Sequence, residues 1–171
     1  MSPRLISKHH IAVDNEAIYQ HCIQVIKKYN LPVKYDHVCN GVYLTQLKID
    51  YVGIDQSQKN ELLPHTWEEL KSVVELVTSV CPSTEINNSF FVLSPKNGSL
   101  LEHRHIFADS KVFTYYVKID ENHPSFEYLV DGQWIPFHTK SGDLITFDNT
   151  LFHRVPENTT ENDRLVITFN I

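Results

Sequence analysis

The sequence has no excess of basic residues and no long apolar run. Its 171 residues include 15 Lys and Arg against 21 Asp and Glu, which gives a formal net charge of −6. A domain that binds nucleic-acid phosphates normally carries a basic excess, so we do not expect nucleic acid as a partner. No stretch reaches the roughly 18 consecutive apolar residues of a membrane-spanning helix, so we expect no membrane partner either.

Cysteine is also scarce. Cys22, Cys39 and Cys81 are odd in number and lack the spacing of a metal or redox motif. This favours reduced thiols in an intracellular protein over a disulfide framework. The first ten residues lack the apolar segment of a secretory signal peptide. From both observations we expect a cytoplasmic location.

A chain of this length is expected to form one domain with a sizeable core. No linker, internal repeat or low-complexity segment divides it. We therefore predict a single domain over residues 1–171, with helical support over about 1–85 and a β-rich core over about 86–171. Within the first part, residues 1–13 are expected to form an extended arm or an edge strand. Residues 42–52 alternate well enough to predict a further strand.

Two helices are predicted in the N-terminal half. Asp14 is suited to cap a helix over 15–29, in which apolar residues recur at helical spacing. The Thr-Trp-Glu-Glu sequence that begins at Thr66 matches a capping box, in which the Thr66 hydroxyl accepts from a backbone amide three residues later. It predicts a helix that continues to about Val80. We interpret the apolar stripes of both helices as core surfaces that cover one face of a sheet.

From residue 86 onward the pattern is almost entirely that of β-strands. The predicted strands are 88–94, 99–107, 111–119, 125–130, 133–137, 143–147, 151–155 and 163–170. Asp131 and Gly132 lie between two apolar runs and predict a tight hairpin. Pro136 makes the second strand of that hairpin an edge strand or a short one. Short strands behind two helices predict a mostly β fold, a double-stranded β-helix (a cupin-like jelly roll) braced by the N-terminal helices.

Candidate metal ligands lie in two of these strand regions. His103 and His105 are two residues apart in a predicted strand, so their side chains share one face. His153 lies on a later strand. Imidazoles that converge from two strands can form an open site for a transition metal, and imidazole suits iron, copper, zinc and nickel. We therefore predict that His103, His105 and His153 are metal ligands.

Residues 90–171 resemble the iron(II)- and 2-oxoglutarate-dependent oxygenases. Residues 142–153, with the sequence GDLITFDNTLFH, most resemble their aspartyl/asparaginyl β-hydroxylase branch. The resemblance implies that His103 and His153 bind iron(II), and that Arg164 binds the far carboxylate of 2-oxoglutarate, which is consumed together with molecular oxygen. A guanidinium suits this role because its fixed fork of donors matches a carboxylate.

The sequence departs from the common pattern of this superfamily at His105. Most members have Asp or Glu at that position. His105 is therefore either a third ligand or a residue beside the ligands, and three neutral imidazoles would leave more positive charge on the metal. Tyr115 and Tyr116 adjoin on a predicted strand and face opposite ways, so one is expected to line the cofactor pocket and the other the core. We assign the pocket to Tyr115.

Three functions are compatible with these residues. The leading hypothesis is a hydroxylase that converts 2-oxoglutarate to succinate and CO2 and acts on a small-molecule substrate or an exposed amino-acid side chain. The second is a cupin-type three-histidine metalloenzyme without 2-oxoglutarate, which the pair His103 and His105 favours and the spacing of Arg164 opposes. The third is a non-catalytic metal-binding jelly roll. Without the resemblance, Arg164 would be interpreted as a surface residue paired with Asp143 or Glu157.

Overall fold

The computed structural model describes residues 5–45, 56–82, 85–86, 88–105 and 108–171. Its strands are β1 (Ile6–His10), β2 (Lys34–Tyr35), β3 (Cys39–Leu44), β4 (Asn88–Ser94), β5 (Ser99–His103), β6 (Lys111–Lys118), β7 (Phe126–Val130), β8 (Gln133–Phe137), β9 (Asp143–Asp148), β10 (His153–Val155) and β11 (Arg164–Asn170). Its helices are α1 (Asn15–Lys28), α2 (Gln56–Glu61) and α3 (Lys71–Val80), with short 3₁₀ turns at Pro64–Thr66 and Glu68–Leu70. None of the helices in these ranges is long and apolar enough to cross a membrane.

The strands form one curled antiparallel sheet. Their order is β1-β9-β6-β11-β4-β3-β5-β10-β7-β8, and β2 pairs with β3. The main layer consists of β1, β9, β6, β11 and β4, and a smaller layer consists of β5, β10, β7 and β8. β3 connects the two layers because it pairs with both β4 and β5. The two layers enclose a cavity between them. This is a mostly β, jelly-roll-like fold, as the sequence predicted.

Alternation along β11 separates the core from the cavity. Leu165, Ile167 and Phe169 are fully buried and pack in the cluster that also contains apolar residues of α1 and α3. Arg164 and Asn170 point to the other side of the sheet and line the cavity. Successive side chains of a strand point to opposite faces of the sheet. One face of the main layer therefore packs against the helices, and the other face lines the candidate site.

The helical half agrees with the sequence prediction in its first helix and differs in its second. The Asp14 carboxylate accepts a hydrogen bond from the amide of Ala17 at 3.0 Å, so it caps α1 as expected. The capping-box prediction at Thr66 was wrong, because its hydroxyl donates to backbone carbonyls and α3 begins only at Lys71. Trp67 is buried and has an extended backbone, with φ −79° and ψ 137°, so no helix continues through this position from Thr66. The helix α2 was not predicted, so the described chain has three α-helices in this half and not two.

Most strand predictions agree closely with the described residues. The strand predicted over 99–107 is an exception, because β5 ends at His103 and His105 lies beyond it; residues 106–107 lie outside the described residues. β1 pairs with β9 at one edge of the sheet, as expected for residues 1–13. Asp131 and Gly132 both have positive φ, 50° and 76°, and connect β7 to β8 in the predicted hairpin. Pro136 lies on β8, which is the other edge. The strand predicted over 42–52 is observed as Cys39–Leu44, and the remainder of that prediction lies mostly outside the described residues.

Candidate metal centre and cosubstrate cavity

The cavity between the two layers has a volume of about 830 Å³. This is within the usual range for a site that binds a small molecule. The cavity opens to solvent beside the exposed residues of its lining, Asp36, His37 and Arg104. The histidines predicted as ligands and Arg164 all line this one cavity.

The three predicted histidines converge within it. His103 ends β5 and His153 begins β10, and the two residues are direct partners in the antiparallel pairing of these strands. His105 follows two residues after His103, and its amide donates to the Asn149 carbonyl at 3.2 Å. One ring nitrogen from each histidine lies within 4.8 Å of the others. The Nε2 atoms of His105 and His153 are 3.3 Å apart.

Hydrogen bonds fix the tautomer of each ring. The Nδ1 atom of His103 donates to the Leu101 carbonyl at 2.7 Å, and that of His153 donates to the Leu151 carbonyl at 2.9 Å. The Nδ1 atom of His105 faces the side-chain oxygen of Asn170 at 3.1 Å. Because a carbonyl oxygen can only accept, Nδ1 carries the proton in each case and Nε2 keeps its lone pair.

This donor set fits a metal ion. Two Nε2 lone pairs 3.3 Å apart repel each other unless a proton or a cation lies between them. With a metal–nitrogen bond of about 2.1 Å, adjacent ligand nitrogens are separated by roughly 3.0–3.4 Å. Among the residues that the structure describes, the cluster contains imidazoles and no carboxylate, so it carries no charge when the rings are neutral.

Burial keeps these rings neutral. It lowers the pKa of His103, lowers the pKa of His105 to about 4, and holds the pKa of His153 well below its ordinary value. The neighbouring histidines lower the pKa of His105 and His153 further. Aromatic rings contribute to the burial, since Phe147 packs edge-on against His153 with ring centroids 5.0 Å apart and Phe90 stacks near His105. Protons therefore do not compete with a metal for these nitrogens at neutral pH.

Arg164 is a buried cation that faces the cavity. It is 9% exposed, and its Nη2 donates to the Pro156 carbonyl at 2.9 Å. It forms no ion pair within the described part of the chain, and Asp143 instead lies 2.9 Å from His10. The alternative of a surface ion pair is therefore wrong. Burial lowers the pKa of Arg164 to about 10, so the guanidinium stays charged at neutral pH. A buried cation without an anionic partner is costly, so this part of the cavity suits an anion.

The assignment of Tyr115 to the pocket was wrong. Its hydroxyl donates to the side-chain oxygen of Asn15 at 2.5 Å, on the face of the sheet that α1 covers. Tyr116 lines the cavity instead, and its hydroxyl has no hydrogen-bond partner in the described ranges. Burial raises the pKa of Tyr116, and the charge of Arg164 partly offsets this. The register explains the correction, since Tyr116 pairs with Val166, which shares the cavity face with Arg164.

Sequence reasoning also missed Asn170 and Asn88. The two residues are cross-strand partners on β11 and β4, and the Nδ2 atom of Asn170 donates to the Oδ1 atom of Asn88 at 2.8 Å. One signal was available in the sequence: Asn170 lies six residues after Arg164, and residues an even number of positions apart on a strand face the same side. This alternation, however, did not show which histidine Asn170 would contact.

Solved structures with the same fold include several oxygenases. SnoK, a non-haem α-ketoglutarate-dependent carbocyclase from nogalamycin biosynthesis, has a TM-score of 0.67 at 9% identity over 96% of this chain and 78% of its own. A prolyl hydroxylase from Trichoplax adhaerens, solved with a hypoxia inducible factor peptide fragment, has a TM-score of 0.62 at 12% identity over 97% and 82%. A Pseudomonas putida prolyl-4-hydroxylase has a TM-score of 0.60 at 15% identity over 97% and 92%. At these identities the likeness shows the fold alone.

Sequence comparison identifies the family. No curated protein matches the sequence. The model of the aspartyl/asparaginyl β-hydroxylase family matches residues 9–171, which extends the resemblance of residues 90–171 through the helical half and β1. The chain therefore belongs to the aspartyl/asparaginyl β-hydroxylase family, a branch of the iron(II)- and 2-oxoglutarate-dependent oxygenases.

Proposed function

We propose that the protein is an iron(II)- and 2-oxoglutarate-dependent hydroxylase. In this proposal His103, His105 and His153 hold the metal, and Arg164 binds the far carboxylate of 2-oxoglutarate. The observation that carries it is the placement of a buried guanidinium, which has no ion-pair partner among the described residues, in the same cavity as three converging imidazoles. Family membership supports the same chemistry.

The three Nε2 atoms would hold the metal from one side and leave its other positions open to 2-oxoglutarate and oxygen. When bound, iron(II) supplies the oxygen activation that couples conversion of 2-oxoglutarate to succinate and CO2 with oxidation of the substrate. The histidines contribute no negative charge, so the metal retains more positive charge than it would beside a carboxylate ligand. Phe147 and Phe90 pack beside His153 and His105 and add an apolar surface to this end of the cavity.

Arg164 and Tyr116 would anchor the cosubstrate. The bond from Nη2 of Arg164 to the Pro156 carbonyl holds the guanidinium in place, and its remaining donors can meet a carboxylate. The hydroxyl of Tyr116 can donate to the same carboxylate, because it lines the cavity close to Arg164. A fixed far end orients the keto-acid end of 2-oxoglutarate toward the histidines.

The substrate in this proposal is a small molecule or an exposed amino-acid side chain. The cavity holds about 830 Å³ for cosubstrate and substrate together, which limits the part of the substrate that enters. Structures of similar fold include a carbocyclase and a prolyl hydroxylase bound to a peptide, so both kinds of substrate occur among proteins with this fold.

Substitution of Arg164 by Ala tests the proposal. Loss of one partner of a desolvated, hydrogen-bonded charge pair costs about 2–5 kcal/mol, so we expect 2-oxoglutarate to bind at least roughly thirty-fold more weakly. Arg164→Lys should recover only part of the affinity because it offers a point charge and not a fork. The measurement is calorimetric titration of the metal-loaded proteins with 2-oxoglutarate. His103→Ala is the matched control and should lose metal, whereas Arg164→Ala should keep it.

Equal affinities of wild type and Arg164→Ala for 2-oxoglutarate would remove Arg164 from the site. That result would favour the cupin-type three-histidine enzyme, which the proximity of His105 to His153 also supports. Oxygen-dependent formation of succinate by the metal-loaded protein supports the hydroxylase. A metal-loaded protein that turns over a substrate without 2-oxoglutarate supports the cupin-type enzyme. A protein that binds metal but catalyses no reaction supports a non-catalytic jelly roll.

A further inference from the structure

We infer that Asn170, held in place by Asn88, positions His105 as the third metal ligand. Asn170 would do so by fixing which nitrogen of His105 carries the proton and which way the ring points. This inference rests on the proposed metal site and adds two positioning residues to it.

His105 differs from the other two histidines in what orients it. His103 and His153 each donate from Nδ1 to the backbone carbonyl two residues earlier, in Leu101 and Leu151. Their orientation is therefore built into their own chain segments. The Nδ1 atom of His105 instead meets a side chain from another strand, the Oδ1 atom of Asn170 at 3.1 Å. The third ligand thus depends on a contact that one substitution can remove.

Asn88 contacts the other end of the Asn170 amide. Asn170 is 1% exposed, and its Nδ2 donates to the Oδ1 atom of Asn88 at 2.8 Å. This bond uses the amide nitrogen and leaves the amide oxygen toward the ring. With the amide reversed, Nδ1 of His105 would have to accept, and the proton would move to Nε2, where it blocks metal binding. Metal ligands are commonly oriented by a hydrogen bond of this kind on the other ring nitrogen.

The arrangement also ties two functions to one strand. Arg164 begins β11 and Asn170 ends it, and both side chains line the cavity. The amide of Asn170 keeps the shell around the three imidazoles uncharged, whereas a carboxylate there would make His105 a more basic ligand. One strand therefore positions both the proposed cosubstrate anchor and the third ligand.

The test counts coordinated imidazoles in the full-length protein loaded with Cu(II), by pulsed electron paramagnetic resonance, and measures zinc affinity by competition with a chelator. Wild type should show three imidazoles. Asn170→Leu should show two and bind zinc roughly 10–100-fold more weakly, the usual effect of losing such a partner. Asn170→Asp keeps an acceptor and should restore three imidazoles and the affinity. Asn88→Ala, which leaves residue 170 unchanged, should lower the affinity by a smaller factor.

Thr168→Val is the matched control, because Thr168 is buried on the same strand and face but makes no described hydrogen bond to the three histidines. It should leave the imidazole count at three. Three imidazoles and wild-type affinity in Asn170→Leu would overturn the inference. If that variant does not fold, unchanged affinity in Asn88→Ala overturns it instead. Two imidazoles in both wild type and His105→Ala would refute ligation by His105, whereas three imidazoles without 2-oxoglutarate turnover would contradict only the proposed reaction.

Discussion

The two faces of β11 are both buried, yet they have different surroundings. Leu165, Ile167 and Phe169 have no exposed surface and pack against the side chains of α1 and α3. Arg164 and Asn170, at 9% and 1% exposed, are nearly as buried but face a cavity of about 830 Å³. Burial alone therefore does not distinguish core from site in this fold. The distinction comes from what lies opposite, since one face meets close-packed apolar atoms and the other meets space for ligands.

This difference predicts that substitutions on the two faces have different effects. On the helix face each apolar side chain contributes to stability through the area it removes from water. On the cavity face, Arg164 contributes little to the stability of the ligand-free protein or even lowers it. The reason is that its charge is desolvated and has no ion-pair partner among the described residues.

The largest effect is expected from Phe169→Ala on the helix face. Removal of a fully buried aromatic ring usually costs about 3–5 kcal/mol, which is a large part of the roughly 5–15 kcal/mol that stabilises a domain. Denaturant-induced unfolding measures the change. Val166→Ala, on the cavity face of the same strand, is the comparison and should cost much less because the space beside Val166 is already open. A midpoint for Phe169→Ala equal to that of wild type would refute the assignment of this face to the core.

Much of this division could be predicted from the sequence, because it depends on local patterns. The strands follow from alternation and turn residues, and the hairpin follows from Asp131 and Gly132. The spacing of His103 and His105 predicted that both side chains share one strand face. The structure brings both together with His153, although β5 ends at His103 and His105 lies beyond the strand. Arg164 was recognised by resemblance, and the structure places it in the same cavity.

What could not be predicted depends on contacts between distant segments. Alternation shows that Tyr115 and Tyr116 face opposite ways, but only the register of β6 against β11 determines which one meets the cavity. The contact between Asn170 and His105 likewise requires the curl of the sheet. The local capping signal at Thr66 was misleading, because the next residue, Trp67, is buried with an extended backbone and the helix begins only at Lys71.

The adjacent tyrosines offer the sharpest comparison of the two faces. Tyr115→Phe loses a hydrogen bond to Asn15 and should destabilise the protein by about 1 kcal/mol without changing the affinity for 2-oxoglutarate. Tyr116→Phe loses no described hydrogen bond, so stability should change little, whereas 2-oxoglutarate should bind about two- to ten-fold more weakly. Thermal unfolding and calorimetric titration of both variants measure the two effects. Weaker 2-oxoglutarate binding in Tyr115→Phe alone would reverse the assignment of the faces.

The smallest effect is expected at Thr146 on β9. Its hydroxyl oxygen is buried and has no hydrogen-bond partner in the described part of the chain, unlike the Asn170 amide on the cavity side, which is bonded at both ends. An unsatisfied buried hydroxyl costs free energy, and valine has nearly the same shape without it. Thr146→Val should therefore leave stability unchanged or raise it by up to about 1 kcal/mol, with metal and 2-oxoglutarate affinities unchanged. A clear loss of stability in denaturant-induced unfolding would contradict this prediction and show that the hydroxyl has a partner, such as an internal water molecule.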